Sequence, residues 1–286
     1  MSASECRACS SKYNRRMPEL PEVETSRRGI APYVVGERID AVVIRDRRLR
    51  WPVSPDVDTR LPGQTVRSID RRAKYLLLNT TDGTAIIHLG MSGSVSIVAV
   101  DTPATVHDHF DFALGSGDAL RYRDPRRFGS LHWADDAATH WLLRNLGPEP
   151  LDDTFSPEYL WAKSRGRRVS IKQFIMNADI VVGVGNIYAS EALFLAGIHP
   201  RRAAGRIALA RYEALVAAIK TVLAKAIEAG GTTLRDFYGF NGQAGYFQLQ
   251  LEVYGRDGEP CRRCKRPVAV MVLGQRSTFY CKGCQT

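Results

Sequence analysis

From Pro21 the chain reads as a helix. Val23, Ile30 and Val34 recur at helical spacing, a proline suits the first turn, and Glu22 and Glu24 suit the positive end of the helix dipole. Gly36 is placed to stop it. The pattern then becomes short β-favourable runs at 39–44, 66–69, 75–78, 85–89, 94–100, 110–114 and 119–122. Turn residues such as Thr81-Asp82-Gly83 and Gly115-Ser116-Gly117-Asp118 divide them. Strands at that spacing predict a β-sandwich. After Trp133 the reading is helical over 135–146, then turn-rich through Gly147-Pro148-Glu149-Pro150-Leu151-Asp152-Asp153, the best domain boundary in the chain. Further helices are predicted near 156–164, 170–177, 186–197 and 206–229. The last carries Leu209, Tyr212, Leu215, Val216, Ile219, Val222, Leu223 and Ile227 as one apolar stripe, a core face, and Gly230-Gly231 ends it. Two β-favourable runs, 268–273 and 278–280, close the pattern as a hairpin. The class is α+β, and no repeat is visible.

Composition narrows the partner. The 286 residues suffice for about two cored domains, and 40 Lys+Arg against 30 Asp+Glu leave a net charge of +10, which points to a polyanion, most often nucleic acid. No apolar run approaches the roughly 20 residues of a membrane span, and the first residues lack the apolar core of a secretory signal. The expected compartment is the cytosol. Six cysteines stand in spaced pairs, which in a cytosolic chain favours metal over disulfide.

Residues 1–17 are polar, without apolar periodicity, and read as a disordered leader: a start assigned too early, or a short tail that is removed. Cys6 and Cys9 in it have no second pair nearby. If Met17 is the true first residue and is removed, Pro18 becomes a free secondary amine whose pKa of roughly 7.7–8.0 leaves a nucleophilic fraction near neutrality. Such an amine can form an iminium with a sugar carbon. Inside a chain the same nitrogen is a planar amide and inert.

Cys261-x-x-Cys264 and Cys281-x-x-Cys284, sixteen residues apart, fit a four-cysteine zinc ribbon, with one structural Zn2+ whose coordination sphere is closed. Arg276 at the hairpin tip is placed either to reach a phosphate or to lie solvated. Val182-Gly183-Val184-Gly185-Asn186 opens a helix and lacks the third glycine of a dinucleotide fingerprint. It serves equally as a close backbone approach to a phosphate or as a tight helix-to-helix turn. Basic clusters at 71–74, 121–128 and 165–168 are each a solvated face taken singly. Together, interleaved with Tyr122 and Phe128, they suit a groove that tracks phosphates and wedges bases apart.

From Met17 onward the chain resembles the bacterial formamidopyrimidine-DNA glycosylases. The motifs are PELPEVE, RRAKYLL, HLGMSG, YRDPRRFG, VGVGNIYASE, GGTTLRDF and the finger ending QRSTFYCKGC. Leu20 separates it from the sister endonuclease VIII branch, which usually begins PEGPE and acts mainly on oxidised pyrimidines. The resemblance implies a β-sandwich catalytic domain (18–146), a helix-two-turn-helix domain (147–240) and a zinc finger (252–286). It implies a base-excision repair enzyme, glycosylase and AP lyase, working as a monomer on damaged double-stranded DNA. Pro18 would be the nucleophile, Glu19 its acid/base partner, Lys74 the proton donor of β-elimination and Arg276 the residue of δ-elimination. His107, Arg126 and Arg167 would bind DNA, Lys172 and Asn186 would meet phosphates, and Met91, Arg126 and Phe128 would fill the hole left by the flipped nucleotide. Residues 238–246 correspond to a loop near that base. If the leader persists, the alternative is a lesion-binding protein without catalysis; a second is endonuclease VIII-like specificity.

Overall fold

The computed structural model describes residues 18–230 and 251–286. The leader with Cys6 and Cys9, the glycine at 231 and the 238–246 segment lie outside the described residues. Helix α1 (Leu20–Val34) begins where Glu19 leaves helical backbone and its N–H is taken by the Glu22 carboxylate at 3.0 Å, half of a capping box. Pro21 occupies the first turn, where its missing N–H costs nothing. Gly36, at φ 88°, turns the chain out of the helix.

Eight strands follow: β1 (Ile39–Ile44), β2 (Ser68–Arg72), β3 (Tyr75–Asn79), β4 (Thr84–His88), β5 (Ser94–Ala99), β6 (Asp108–Leu114), β7 (Asp118–Arg123) and β8 (Ser130–Ala134), with the short α2 (Asp56–Arg60) after β1. They form two antiparallel sheets, β1-β6-β7-β5 and β2-β3-β4-β8. Between the sheets lie Ile69, Leu76, Leu78, Ala85, Ile87 and Leu131 from one and Phe110, Phe112, Leu120 and Tyr122 from the other, closed by Val23, Ile30 and Val34 of α1. Period-two alternation explains the inward set.

Two short elements are absent from the sequence reading. α2 spans little more than one turn and buries only Val57, and β8 is buried along its whole length although Ser130 and His132 are polar, so neither shows a one-sided apolar pattern. A third reading is corrected: 135–146 is not a helix. Asp136 accepts the Ala138 N–H at 2.9 Å and starts one 3-10 turn, Ala137–Thr139, followed only by turns. The leucines that imitated helical spacing, Leu142, Leu143 and Leu146, instead cover the outer face of the second sheet against Tyr75, Leu77, Ile86 and Ala134.

The second half is helical: α3 (Pro157–Ser164), α4 (Ile171–Ile175), α5 (Asn186–Leu195) and α6 (Leu209–Glu228). Ser156 and Ser170 cap α3 and α4 by accepting the N–H of Tyr159 and Gln173. Every residue of α5 from Ile187 to Phe194 is buried, and the helix surfaces only at its C-terminal Leu195. The stripe of α6 does pack inward, through Tyr212, Leu215, Val216, Ile219 and Leu223. The chain ends in the hairpin of β9 (Ala269–Leu273) and β10 (Arg276–Tyr280), turned by Gly274 and Gln275 at φ 54° and 61°. Positive φ at both turn residues matches the twist of a two-residue hairpin.

Candidate active site and DNA-facing surface

Glu19 follows directly on half-buried Pro18, is itself 2% exposed, and points into the N-terminus of α5. Its Oε2 accepts the Gly185 N–H at 3.0 Å and the Tyr188 N–H at 3.4 Å; its Oε1 accepts the Ile187 N–H at 2.9 Å. The choice that the sequence left open at the glycine-led helix is thereby resolved: these amides face a carboxylate of the chain's own. A Cβ on Gly185 would lie 2.3–2.6 Å from that carboxylate, and one on Gly183 2.4 Å from Leu20. The glycines let α1 and α5 close on one another.

Burial pushes the Glu19 carboxyl above its ordinary range; Lys74 pulls it back, Glu22 pushes further, and the Ile187 and Tyr188 amides pull back. Glu22 is itself fixed, accepting the Tyr188 hydroxyl at 2.7 Å. Lys74 stands after Ala73, which sits at φ 55° in the turn between β2 and β3. That turn is gripped from the other half by Glu149. Its carboxylate accepts the Ala73 N–H at 2.7 Å, pairs with Arg71 at 2.7 Å and with Arg72 at 3.0 Å. Burial lowers the Lys74 pKa, opposed by the charges of Glu19 and Glu22 and reinforced by Arg276. Acid and amine are both driven toward neutrality, the state suited to passing protons. A cavity of about 160 Å³ opens beside Lys74, between Tyr75 and His88 of the sandwich and Met176, Val181 and Val184 of the helical half.

Lys172, only 1% exposed, donates from Nζ to Asn186 at 2.6 Å, to the Thr278 hydroxyl at 2.8 Å and to the Ser277 carbonyl at 3.2 Å. It ties α4 and the start of α5 to the hairpin. Burial and Arg276 bring its pKa down to about 7 against the pull of Glu19. Glu19, Lys74, Lys172 and Asn186, far apart in the chain, therefore meet at one seam, with Pro18 next to Glu19 in sequence and the charge of exposed Arg276 felt by both lysines.

Met91, Arg126 and Phe128 also come together. Arg126 stacks its guanidinium 4.8 Å from the Phe128 ring centre, and Phe128 is exposed. Gly90, beside Met91, backs so closely on the Phe128–Gly129 peptide that a Cβ there would approach it to 2.4 Å. His107 lies next to this loop, its carbonyl accepting the Asp124 N–H at 3.0 Å. Arg167 is not drawn in. It is exposed in the turn between α3 and α4, where its backbone bonds Ser164 and Gly205. The sequence reading missed Asp124 and Glu149. Their signal was an acid placed amid basic clusters or at the domain link, where an unpaired acid would be out of place.

The four finger cysteines bring their Sγ atoms within 4.8 Å of one another, Cys264 to Cys281 at 3.4 Å and Cys261 to Cys284 at 3.8 Å. Tetrahedral zinc with bonds of about 2.3 Å needs sulfurs about 3.8 Å apart, so the set fits one structural Zn2+. Glu191 of α5 accepts the N–H groups of Glu252, Val253 and Tyr254 and fixes the finger's entry. Among the described residues no helix is long and apolar enough to cross a membrane.

Comparison with known proteins agrees with this geometry. Residues 17–131 match the formamidopyrimidine-DNA glycosylase N-terminal domain, 146–238 its H2TH domain, and 258–286 the zinc finger found in FPG and IleRS. The chain is 59% identical over 269 residues to the formamidopyrimidine-DNA glycosylase of Pseudomonas aeruginosa strain LESB58, covering 94% of this chain and all of that one. The enzyme of Stutzerimonas stutzeri is 57% identical over the same length. Among solved structures, wild-type Lactococcus lactis Fpg with N7-benzyl-Fapy-dG DNA superposes at TM-score 0.86 and 33% identity, covering 94% of this chain and 99% of that one. The MutM protein of Thermus thermophilus superposes at 0.82 and 36% identity, covering 94% and 98%. The chain belongs to the formamidopyrimidine-DNA glycosylase family.

Proposed function

We propose that this chain excises oxidised purines, 8-oxoguanine and formamidopyrimidines, from duplex DNA and then cleaves the strand by β,δ-elimination. The Pro18 amine attacks C1′ as the base departs, and the resulting iminium makes the C2′ proton acidic. Glu19 protonates the opening sugar oxygen and passes protons through the elimination; Lys74 and Arg276 serve the departing phosphates. The observation that carries this reading is the dry carboxyl of Glu19 beside Pro18, held by three amides and raised in pKa. Lys172, Asn186, His107, Arg126 and Arg167 are assigned to the DNA backbone, and Met91, Arg126 and Phe128 to the space that the extruded nucleotide leaves. Extrusion costs a few kcal/mol, which the wedge and the phosphate contacts offset. One chain supplies both sides of the seam, which supports a monomer. Its substrate places its work in the bacterial cytosol, at the nucleoid.

The test is borohydride trapping. A chain beginning at Pro18, mixed with an abasic or 8-oxoguanine duplex, is expected to give a covalent complex, and the 286-residue chain, with Pro18 in an amide, none. Failure of the first to trap on either duplex overturns the glycosylase reading and leaves lesion binding alone.

A further inference from the structure

The three wedge residues stand on two separate loops, Leu89–Gly93 and Asp124–Gly129, and one buried carboxylate joins them. Asp124 is 0% exposed at the end of β7. Its Oδ1 accepts the Ser92 hydroxyl at 2.5 Å, from the loop of Met91, and the backbone N–H of Arg126 at 3.2 Å. Its Oδ2 accepts the Gly129 N–H at 2.8 Å, just past Phe128, and the Tyr122 hydroxyl at 3.2 Å. Tyr122 extends the brace, sharing its one hydroxyl proton between Asp124 and the His88 carbonyl at 3.3 Å. Its hydroxyl fills the space where a Cβ on Gly93 or Gly129 would stand, at 2.6 and 1.7 Å. Both loops therefore close on the same two side chains.

We propose that Asp124 is the positioning residue that makes Met91, Arg126 and Phe128 one rigid wedge. It thereby sets the rate of lesion extrusion and the discrimination of the base opposite, while leaving the chemistry at C1′ to the seam. This rests on the wedge assignment made above. The physical case is the donor count. All four groups facing Asp124 are donors, and two of them, the amides of Arg126 and Gly129, cannot turn round to accept. An asparagine must aim its NH2 at one of those amides whichever way it flips: toward Gly129 that amide loses its carboxylate acceptor, and toward Arg126 that amide keeps only the Ser92 hydroxyl oxygen at 3.2 Å. Side chains held by buried, fully satisfied hydrogen bonds keep the geometry that insertion needs; loosened loops must be ordered again at every encounter.

The experiment compares Asp124→Asn, Ser92→Ala and Phe128→Ala in chains that begin at Pro18, after zinc content and melting have shown each to be folded. Single-turnover cleavage is measured on two kinds of duplex. In one, 8-oxoguanine is paired with cytosine or adenine; in the other, an abasic site faces a second abasic site, so that nothing has to be unpaired. Asp124→Asn is expected to lose roughly tenfold more rate on the paired duplex than on the open one, and to bring the cytosine and adenine rates together. Ser92→Ala, which cuts the Met91 loop from Asp124 and removes the second acceptor of the Arg126 N–H, should show the same pattern at about threefold, and it carries the test if Asp124→Asn does not fold. Equal losses on both duplexes, or unchanged opposite-base discrimination in a folded variant, overturn the inference. Phe128→Ala separates the two failures. If it too shows no excess loss on the paired duplex, the wedge assignment falls; if it does and Asp124→Asn does not, only the role of Asp124 falls.

Discussion

The seam around Glu19 and the zinc finger solve the same problem, gathering charged or reactive groups, by opposite means. The finger gathers four cysteines within 24 consecutive residues, and one divalent ion compensates the thiolates that would otherwise repel. The seam gathers Glu19, Lys74, Lys172 and the charge of Arg276 from four parts of the fold. Compensation comes from helix amides on Glu19 and from hydrogen bonds on Lys172, and the charges that remain in the dry space shift one another's pKa. A closed metal site is stable and inert; a seam of displaced pKa values costs stability and can move protons. The two are coupled through the hairpin, because Lys172 bonds Ser277 and Thr278.

That coupling gives the largest expected effect. Cys281→Ser should lose zinc, and with it DNA affinity by about a hundredfold or more, since binding of a structural zinc is itself folding free energy. Zinc content and a gel shift at one fixed salt concentration measure it; a metal-free variant that binds DNA normally would make the finger independent of the seam. Next, Glu19→Gln in a chain from Pro18 should slow cleavage by roughly a hundredfold or more, the scale of a lost general acid. It keeps the shape but offers an NH2 to amides that need an acceptor, so about 1–2 kcal/mol of stability should go with it. Full cleavage activity would remove Glu19 from the chemistry.

Gly185→Ala should be milder. The added methyl meets the Glu19 carboxylate at 2.3–2.6 Å, and overpacking of this kind costs about 1–3 kcal/mol, read by urea unfolding, with cleavage reduced alongside. The smallest effect is in pH. Lys172 sits near pKa 7 when folded against an ordinary 10.5, so the unfolded chain binds more protons between those values, and stability must rise as pH climbs from about 7 toward 10. Comparison with Lys172→Met at pH 7 and 9 should show that the wild type gains about 2 kcal/mol relative to the variant. A flat difference would mean that the seam carries no such strain at Lys172.

What could be read from the chain followed from locality. The strands from 39 to 122 and the long stripe of α6 show themselves in neighbouring residues, because periodicity reports which face meets a core. The zinc ligands show themselves for the same reason, two pairs on one hairpin. Where an element buries a single apolar residue, as α2 does, or buries polar residues with apolar ones, as β8 does, or where apolar residues served as a lid, as at Leu142, Leu143 and Leu146, local pattern did not carry the answer. Among the site residues, the motifs named Pro18, Glu19, Lys74 and Arg276 through family resemblance, and their convergence was not visible in any window.

The opening PELPEVE and the glycine-led VGVGNIY thus determined, as sequence, that a helix starts at each and that glycines at 183 and 185 permit close approach. Only the tertiary structure decided what approaches: the amides of α5 receive Glu19, 166 residues earlier in the chain for Gly185. The reason is physical. Helix propensity, turn chemistry and metal-ligand spacing act over a few residues, whereas desolvation and charge coupling depend on which distant surfaces are pressed together, and those set the state of Glu19 and of the lysines around it.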